Sequence, residues 1–262
     1  MDNAGRKLQP IGQLIMADET GRLPRLGRAP APVWAHELDA ITRMLAAAGM
    51  GQQCSLLLRG SLARGSAVPG VSDIDLVLVS DALVERDLPD LASMDAELVL
   101  LRCDDLLHAK TKRWIRFTLA LNGHTLTGPD ILPALPEPRL GPEAVAHLPK
   151  VARWGRSWRA LCTQHPPQLV CRWLMKRILR AGFESVMLDL NAYTRDIYPA
   201  ARALADRFPE QGALFWQAAE WVVAPVEEPA KIASVAERLL PWLEMRLEDL
   251  RAQEPHWRDL RP

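Results

Sequence analysis

Two runs of strand-forming residues frame a short polar loop in the first half of the chain, and this limits the fold more than any other feature. Cys54 to Leu58 reads as a short buried strand, closed by Gly60. Asp73 to Ser80 (Asp-Ile-Asp-Leu-Val-Leu-Val-Ser) has the β-branched, apolar character of a second strand, one that begins with carboxylates. Glu97 to Leu101 reads as a third. Helical segments interleave with them. Leu38, Ile41, Met44 and Leu45 recur at helical spacing and predict a helix from about Trp34 to Ala48, ended by Gly49 and Gly51. Trp114 to Leu121 reads as another, ended at Asn122-Gly123, and His124 to Gly128 as a short strand and turn before Pro129.

Beyond about residue 140 the strand signals vanish. Helical segments there alternate with prolines at 166, 167, 199, 209, 225, 229 and 241. Seven of the nine tryptophans lie in this half, so most are expected in its core. The expected architecture is α/β (α+β): a domain with a short mixed sheet over 33–140, then an all-helical domain over 141–262. Their boundary falls in the proline-rich stretch Pro129 to Pro142. Residues 1–32, rich in Gly, Pro and Arg, read as a leader that drapes over the fold.

The chemistry is concentrated in Leu56 to Ser66 (Leu-Leu-Leu-Arg-Gly-Ser-Leu-Ala-Arg-Gly-Ser) and in Ser72-Asp73-Ile74-Asp75-Leu76. Strand residues two apart share a face, so Asp73 and Asp75 are expected side by side with Ile74 turned into the core. Adjacent carboxylates repel, and a hard divalent cation with oxygen ligands resolves the conflict. Glycine at 60 lets backbone N–H groups approach a phosphate, and the Ser61 hydroxyl adds a donor. Arg64 and Ser72 are further candidate donors. These parts suit in-line phosphoryl transfer, in which positioning and charge neutralisation do most of the work. A Gly-Ser turn is common, and an Asp-x-Asp at a strand start can serve as a cap. The two elements in this order, between buried strands, carry the functional reading.

The segment resembles the DNA polymerase β-like nucleotidyltransferase superfamily, whose signature is apolar-Gly-Ser, a gap of about ten residues, then Asp-apolar-Asp-apolar. Eleven residues separate Ser61 from Asp73 here. The local wording, Gly-Ser-x-Ala-Arg-Gly followed by Ser-Asp-Ile-Asp-Leu, is most similar to bacterial small-substrate members. Aminoglycoside nucleotidyltransferases and the minimal nucleotidyltransferases of toxin–antitoxin pairs are among these. The resemblance covers about residues 54–101. It implies two Mg2+ ions, about 4 Å apart, beside a nucleoside triphosphate, with ATP the expected donor. It also implies a third carboxylate on a later strand of the same sheet. Glu97 fits that place because an apolar run follows it; Asp95, two residues earlier on the same face, is the competitor.

Between Glu143 and Glu184 there is no acidic residue, and Arg172, Lys176 and Arg180 fall at i, i+4 and i+8. The stripe is either a solvated basic face or the wall of a cleft between the domains. Members of the superfamily often close the site with a helical domain bearing a triphosphate-binding lysine. On that resemblance Lys176 is the candidate, with Arg177 or Arg180 assisting. Trp154 and Trp158 are expected in the core, with stacking on a base as the alternative. Asn191 to Asp196 reads as an inter-helix loop that could instead line the site, and Glu184 or Asp196 could act as base. His124, His147 and His165 stand alone and read as structural or exposed.

With 32 basic and 32 acidic residues the formal charge is zero, which argues against a coat for long nucleic acid. No run approaches the roughly 20 apolar residues that cross a bilayer, and the N-terminus lacks a secretory apolar stretch, so a cytoplasmic protein is expected. Cys54, Cys103, Cys162 and Cys171 show no zinc-type pairing. The expected function is transfer of a nucleoside monophosphate, AMP from ATP, to a hydroxyl of a small-molecule acceptor, releasing pyrophosphate. The alternatives are a protein acceptor, as in toxin–antitoxin pairs, and a non-catalytic nucleotide sensor, against which the intact Asp73, Asp75 and Glu97 speak. A long RNA acceptor ranks third because the charge is balanced.

Overall fold

The computed structural model describes residues 7–50, 54–69, 72–82, 88, 91, 96–253 and 257. In chain order these form β1 (Ile15–Met16), α1 (Ala35–Ala47), β2 (Ser55–Arg59), α2 (Gly60–Arg64), β3 (Ile74–Val79), β4 (Ala96–Leu101), α3 (Cys103–His108), α4 (Arg113–Asn122) and β5 (His124–Thr127). Then follow α5 (Val151–Gln164), α6 (Pro167–Glu184), β6 (Ala192–Tyr193), α7 (Ile197–Arg207), α8 (Pro209–Val223) and α9 (Pro229–Gln253). The chain divides into two compact units, Arg22–Arg139 and a second made of Met1–Gly21 with Leu140–Pro262.

The first unit is built on a mixed four-stranded sheet in the order β4-β3-β2-β5. β2 runs antiparallel to both β3 and β5, whereas β3 and β4 are parallel. Alternation along the central strands feeds two cores. Leu56, Leu58, Ile74, Leu76 and Leu78 pack with Leu38, Ile41 and Leu45 of α1 on one face. Leu57, Val77, Val79 and Leu101 pack with Leu106 of α3 and with Leu119 and Ala120 of α4 on the other. Both faces being covered is why β2 reads as a continuous apolar run. Arg116, buried in α4, donates from Nη1 to the carbonyls of Leu106 and Leu107, both at 3.1 Å, and so satisfies the end of α3.

The second unit is helical. Pro167, Pro209 and Pro229 stand at helix starts, where a missing N–H costs nothing. Pro241 departs from the expectation that prolines separate helices, for it lies inside α9. An internal proline costs about 3 kcal/mol, and the burial of Leu239, Leu240 and Leu243 around it offsets the loss. Trp242 packs edge-on to Phe208 and Phe215, with ring centroids 4.8 and 5.6 Å away. No described helix is long and apolar enough to cross a membrane.

The stretch expected as a leader splits. Residues 7–21 join the helical unit, where β1 pairs antiparallel with β6, Ile15 opposite Tyr193. Thr194 Oγ1 donates to the Gln13 carbonyl (2.8 Å) and Asn191 Nδ2 to that of Ala17 (3.0 Å). The segment from Arg22 onward belongs to the sheet unit, and there Arg28 donates to the carbonyl of Arg64 at the end of α2. The polar interruption at 191–196 is therefore a strand partner as well as an inter-helix connection.

Candidate active site

β2 ends at Arg59, and the chain turns at Gly60 into α2. Gly60 has φ +77°, and a β-carbon there would collide with Asp75 Oδ2. Glycine thus meets two demands at once, a left-handed backbone and room for a carboxylate. The strand register carries the rest. Arg59 lies opposite Asp75, and Asp75 opposite Glu97, so the three form one row across β2, β3 and β4. Arg59 Nη2 sits 3.1 Å from Asp75 Oδ1 and 3.7 Å from Glu97 Oε2. The Arg59 and Asp75 side chains are 14% and 25% exposed, that of Glu97 67%, so the row runs from the sheet interior outward.

Asp73 stands one residue before β3 and is exposed, while Ile74 beside it is buried. Asp95 lies outside the described residues. Among the described residues no three His, Cys, Asp or Glu side chains form a ready metal-holding group. The donor chemistry nonetheless fits a hard divalent cation. Asp75 and Glu97 share one register position, and each turns an oxygen toward the single guanidinium nitrogen now between them. Asp73, one residue before the same strand, is a further carboxylate.

The remaining expected residues occupy defined places. Ser61 lies in the first turn of α2, and its carbonyl accepts from Ser66 N (3.0 Å). Arg64 is buried at the end of α2. Ser72 closes its own loop, Oγ accepting from Val68 N and N donating to Val68 O, both at 2.9 Å. In the helical unit Arg172, Lys176 and Arg180 are half-buried along α6, whose Cys171, Leu174, Met175, Ile178 and Leu179 are fully buried. Trp154 and Trp158 are core residues; base stacking is excluded by their burial at 6% and 2% exposure.

Glu184 is not a free base. Its buried carboxylate accepts from the backbone N–H groups of Ala146 (3.0 Å), His147 (2.8 Å) and Leu148 (2.7 Å), with His147 Nδ1 at 3.0 Å and Arg195 at 3.8 Å. It caps the turn that leads into α5. Burial opposes its charge, but His147 beside it, the Arg195 charge and the Leu148 N–H outweigh it and hold the carboxyl below its usual range; Arg195 Nη1 also lies 2.9 Å from His147 Nδ1. Burial, then the Arg195 charge, push His147 down to about 3 despite Glu184, so the ring is neutral. Asp196 accepts from Gln13 N (3.2 Å) and precedes α7. Sequence reasoning missed Arg59. Its only local signal was a charge closing an apolar run directly before Gly60.

Residues 52–124 match the family model described as "Nucleotidyltransferase domain". This stretch is a nucleotidyltransferase domain. It holds Gly60-Ser61, Asp73, Asp75 and Glu97, the whole of the row and the turn beside it. No curated protein matches the sequence. Among solved structures the chain is similar to spectinomycin adenyltransferase AAD(9) from Enterococcus faecialis, crystallised with ATP and spectinomycin. The TM-score is 0.57 at 13% identity, over 82% of this chain and 99% of that one. The likeness is one of fold: a nucleotidyltransferase α/β domain with a small mixed sheet, then a helical region.

Proposed function

We propose that this protein moves AMP from ATP to a hydroxyl of a small-molecule acceptor and releases pyrophosphate. The observation that carries the reading is the Arg59–Asp75–Glu97 row beside the Gly60-Ser61 turn, inside a nucleotidyltransferase domain. Asp73, Asp75 and Glu97 would hold Mg2+, two ions in the two-metal scheme, which when bound neutralises the triphosphate and polarises the α-phosphate. Gly60 N–H and the Ser61 hydroxyl are the proposed donors to phosphate oxygens, with Arg64 and Ser72 as further proposed donors. In the step itself the acceptor oxygen bonds to the α-phosphorus as the bond to the bridging oxygen breaks. Pyrophosphate leaves with that electron pair, and the hydroxyl proton passes to a base.

A small acceptor is favoured by the balanced charge of the chain, which offers no field for a long polyanion. The similar structure was solved with spectinomycin, which makes aminocyclitol and aminoglycoside hydroxyls the first acceptors to try. The test incubates the protein with ATP, Mg2+ and a panel of such acceptors and follows mass. Gain of one AMP on an acceptor supports the reading. Gain of AMP on a protein, with none on any small acceptor, would replace it with the protein-acceptor reading.

A further inference from the structure

Arg59 is a cation in the place where the proposed metal site needs one. A single nitrogen, Nη2, contacts Asp75 Oδ1 and approaches Glu97 Oε2. The side chain is 14% exposed, and Leu57, two residues earlier on the same face, is fully buried with its register partner Val77. The guanidinium is therefore held against the sheet and not loose in solvent. Its Nε is buried with no hydrogen-bond partner among the described residues. Asp75 is confined from the other side, because its Oδ2 lies under Gly60. The Gly60 turn thus limits how far Asp75 can swing away on that side. Of the two groups, Asp75 has the less room to move, so the change of partner is assigned to Arg59.

We infer that Arg59 is a resident counter-ion that gives up the Asp75–Glu97 pair when a divalent cation binds and then takes a triphosphate oxygen. The inference rests on the metal reading proposed above. Arg59 and a divalent cation compete for the same carboxylate oxygens, and two cations sharing them repel. Without nucleotide, displacing Arg59 opposes metal binding. With a triphosphate present the displaced guanidinium gains a new anionic partner suited to its planar fork of donors. Metal and nucleotide then favour one another, by the same factor in each direction. Arg59 is here a positioning residue that makes the bare site weak for metal alone and strong for metal with triphosphate.

The test compares the parent, Arg59→Met, Arg59→Lys and Asp75→Asn. Mn2+ affinity is read by electron paramagnetic resonance without nucleotide. Affinity for a non-hydrolysable ATP analogue is read by calorimetry in EDTA and in saturating Mn2+. Without nucleotide, Arg59→Met is expected to bind Mn2+ about tenfold more tightly than the parent, about 1.4 kcal/mol, with Arg59→Lys close to the parent. The strengthening of analogue binding by Mn2+ should shrink about tenfold in Arg59→Met. Thermal unfolding checks that each variant folds; if Arg59→Met does not, Arg59→Gln makes the same comparison. Equal Mn2+ affinity in parent and variant, with Asp75→Asn impaired, overturns the inference and leaves the metal site standing. A parent that binds no Mn2+ with the analogue present, or an Asp75→Asn variant that binds it as the parent does, removes both.

Discussion

Asp75 Oδ2 occupies the space that a β-carbon on residue 60 would need, so the carboxylate and Gly60 fit only as a pair. The turn that is to present phosphate donors and the strand that bears the carboxylate are thereby fixed to one another. Gly60→Ala attacks this directly. The left-handed φ costs a non-glycine residue about 1–2 kcal/mol, and the added methyl displaces Asp75. Turnover should fall by about a hundredfold, the scale expected when a reacting group moves by about 1 Å. Turnover at the parent level would show that Asp75 need not sit where it does.

Glu97 shares its register position with Asp75 and approaches the same guanidinium nitrogen of Arg59. Glu97→Gln should therefore reduce Mg2+-dependent turnover by tenfold or more and exceed the effect of Asp95→Asn. Steady-state rates of the two variants over a Mg2+ series check the ranking. The reverse order would transfer the role to Asp95.

The elements of the sheet unit were legible because their local signals agree. Cys54 to Leu58 and Ile74 to Ser80 are largely buried on both faces, and the runs Cys54 to Leu58 and Asp73 to Ser80 read as strands within a residue of β2 and β3. What was not legible depends on register or on partners distant in sequence. Arg59 acquires meaning only when β2 is laid antiparallel to β3 and β3 parallel to β4, and no local pattern fixes that. Ile15 and Tyr193 pair across most of the chain through strands only two residues long, too short for any periodicity. Glu184 looked like an available base because its partners are backbone N–H groups at 146–148, which a sequence does not display.

The buried Glu184–His147 pair makes stability pH-dependent. The His147 value of about 3 lies below the ordinary 6.5. Between those values the unfolded chain binds a proton that the folded chain refuses, and stability falls as the pH drops. Glu184, held below its usual range, acts in the same direction: its contribution is present above the unfolded value and lost as pH falls through the folded one. Denaturant unfolding between about pH 7 and about pH 4 should show His147 contributing up to about 1.4 kcal/mol per pH unit. His147→Asn should flatten that slope. An unchanged slope would mean that His147 is protonated in the folded protein.

The central claim is that Asp73 and Asp75 bind a triphosphate through a divalent cation. Calorimetric titration of ATP into the parent, with Mg2+ and then with EDTA, and into Asp73→Asn and Asp75→Asn with Mg2+, tests it without any acceptor. The account predicts binding by the parent that requires Mg2+ and that weakens about tenfold or more in each variant, with thermal unfolding still cooperative. ATP binding that is indifferent to EDTA, or equal in the parent and in both folded variants, would contradict it.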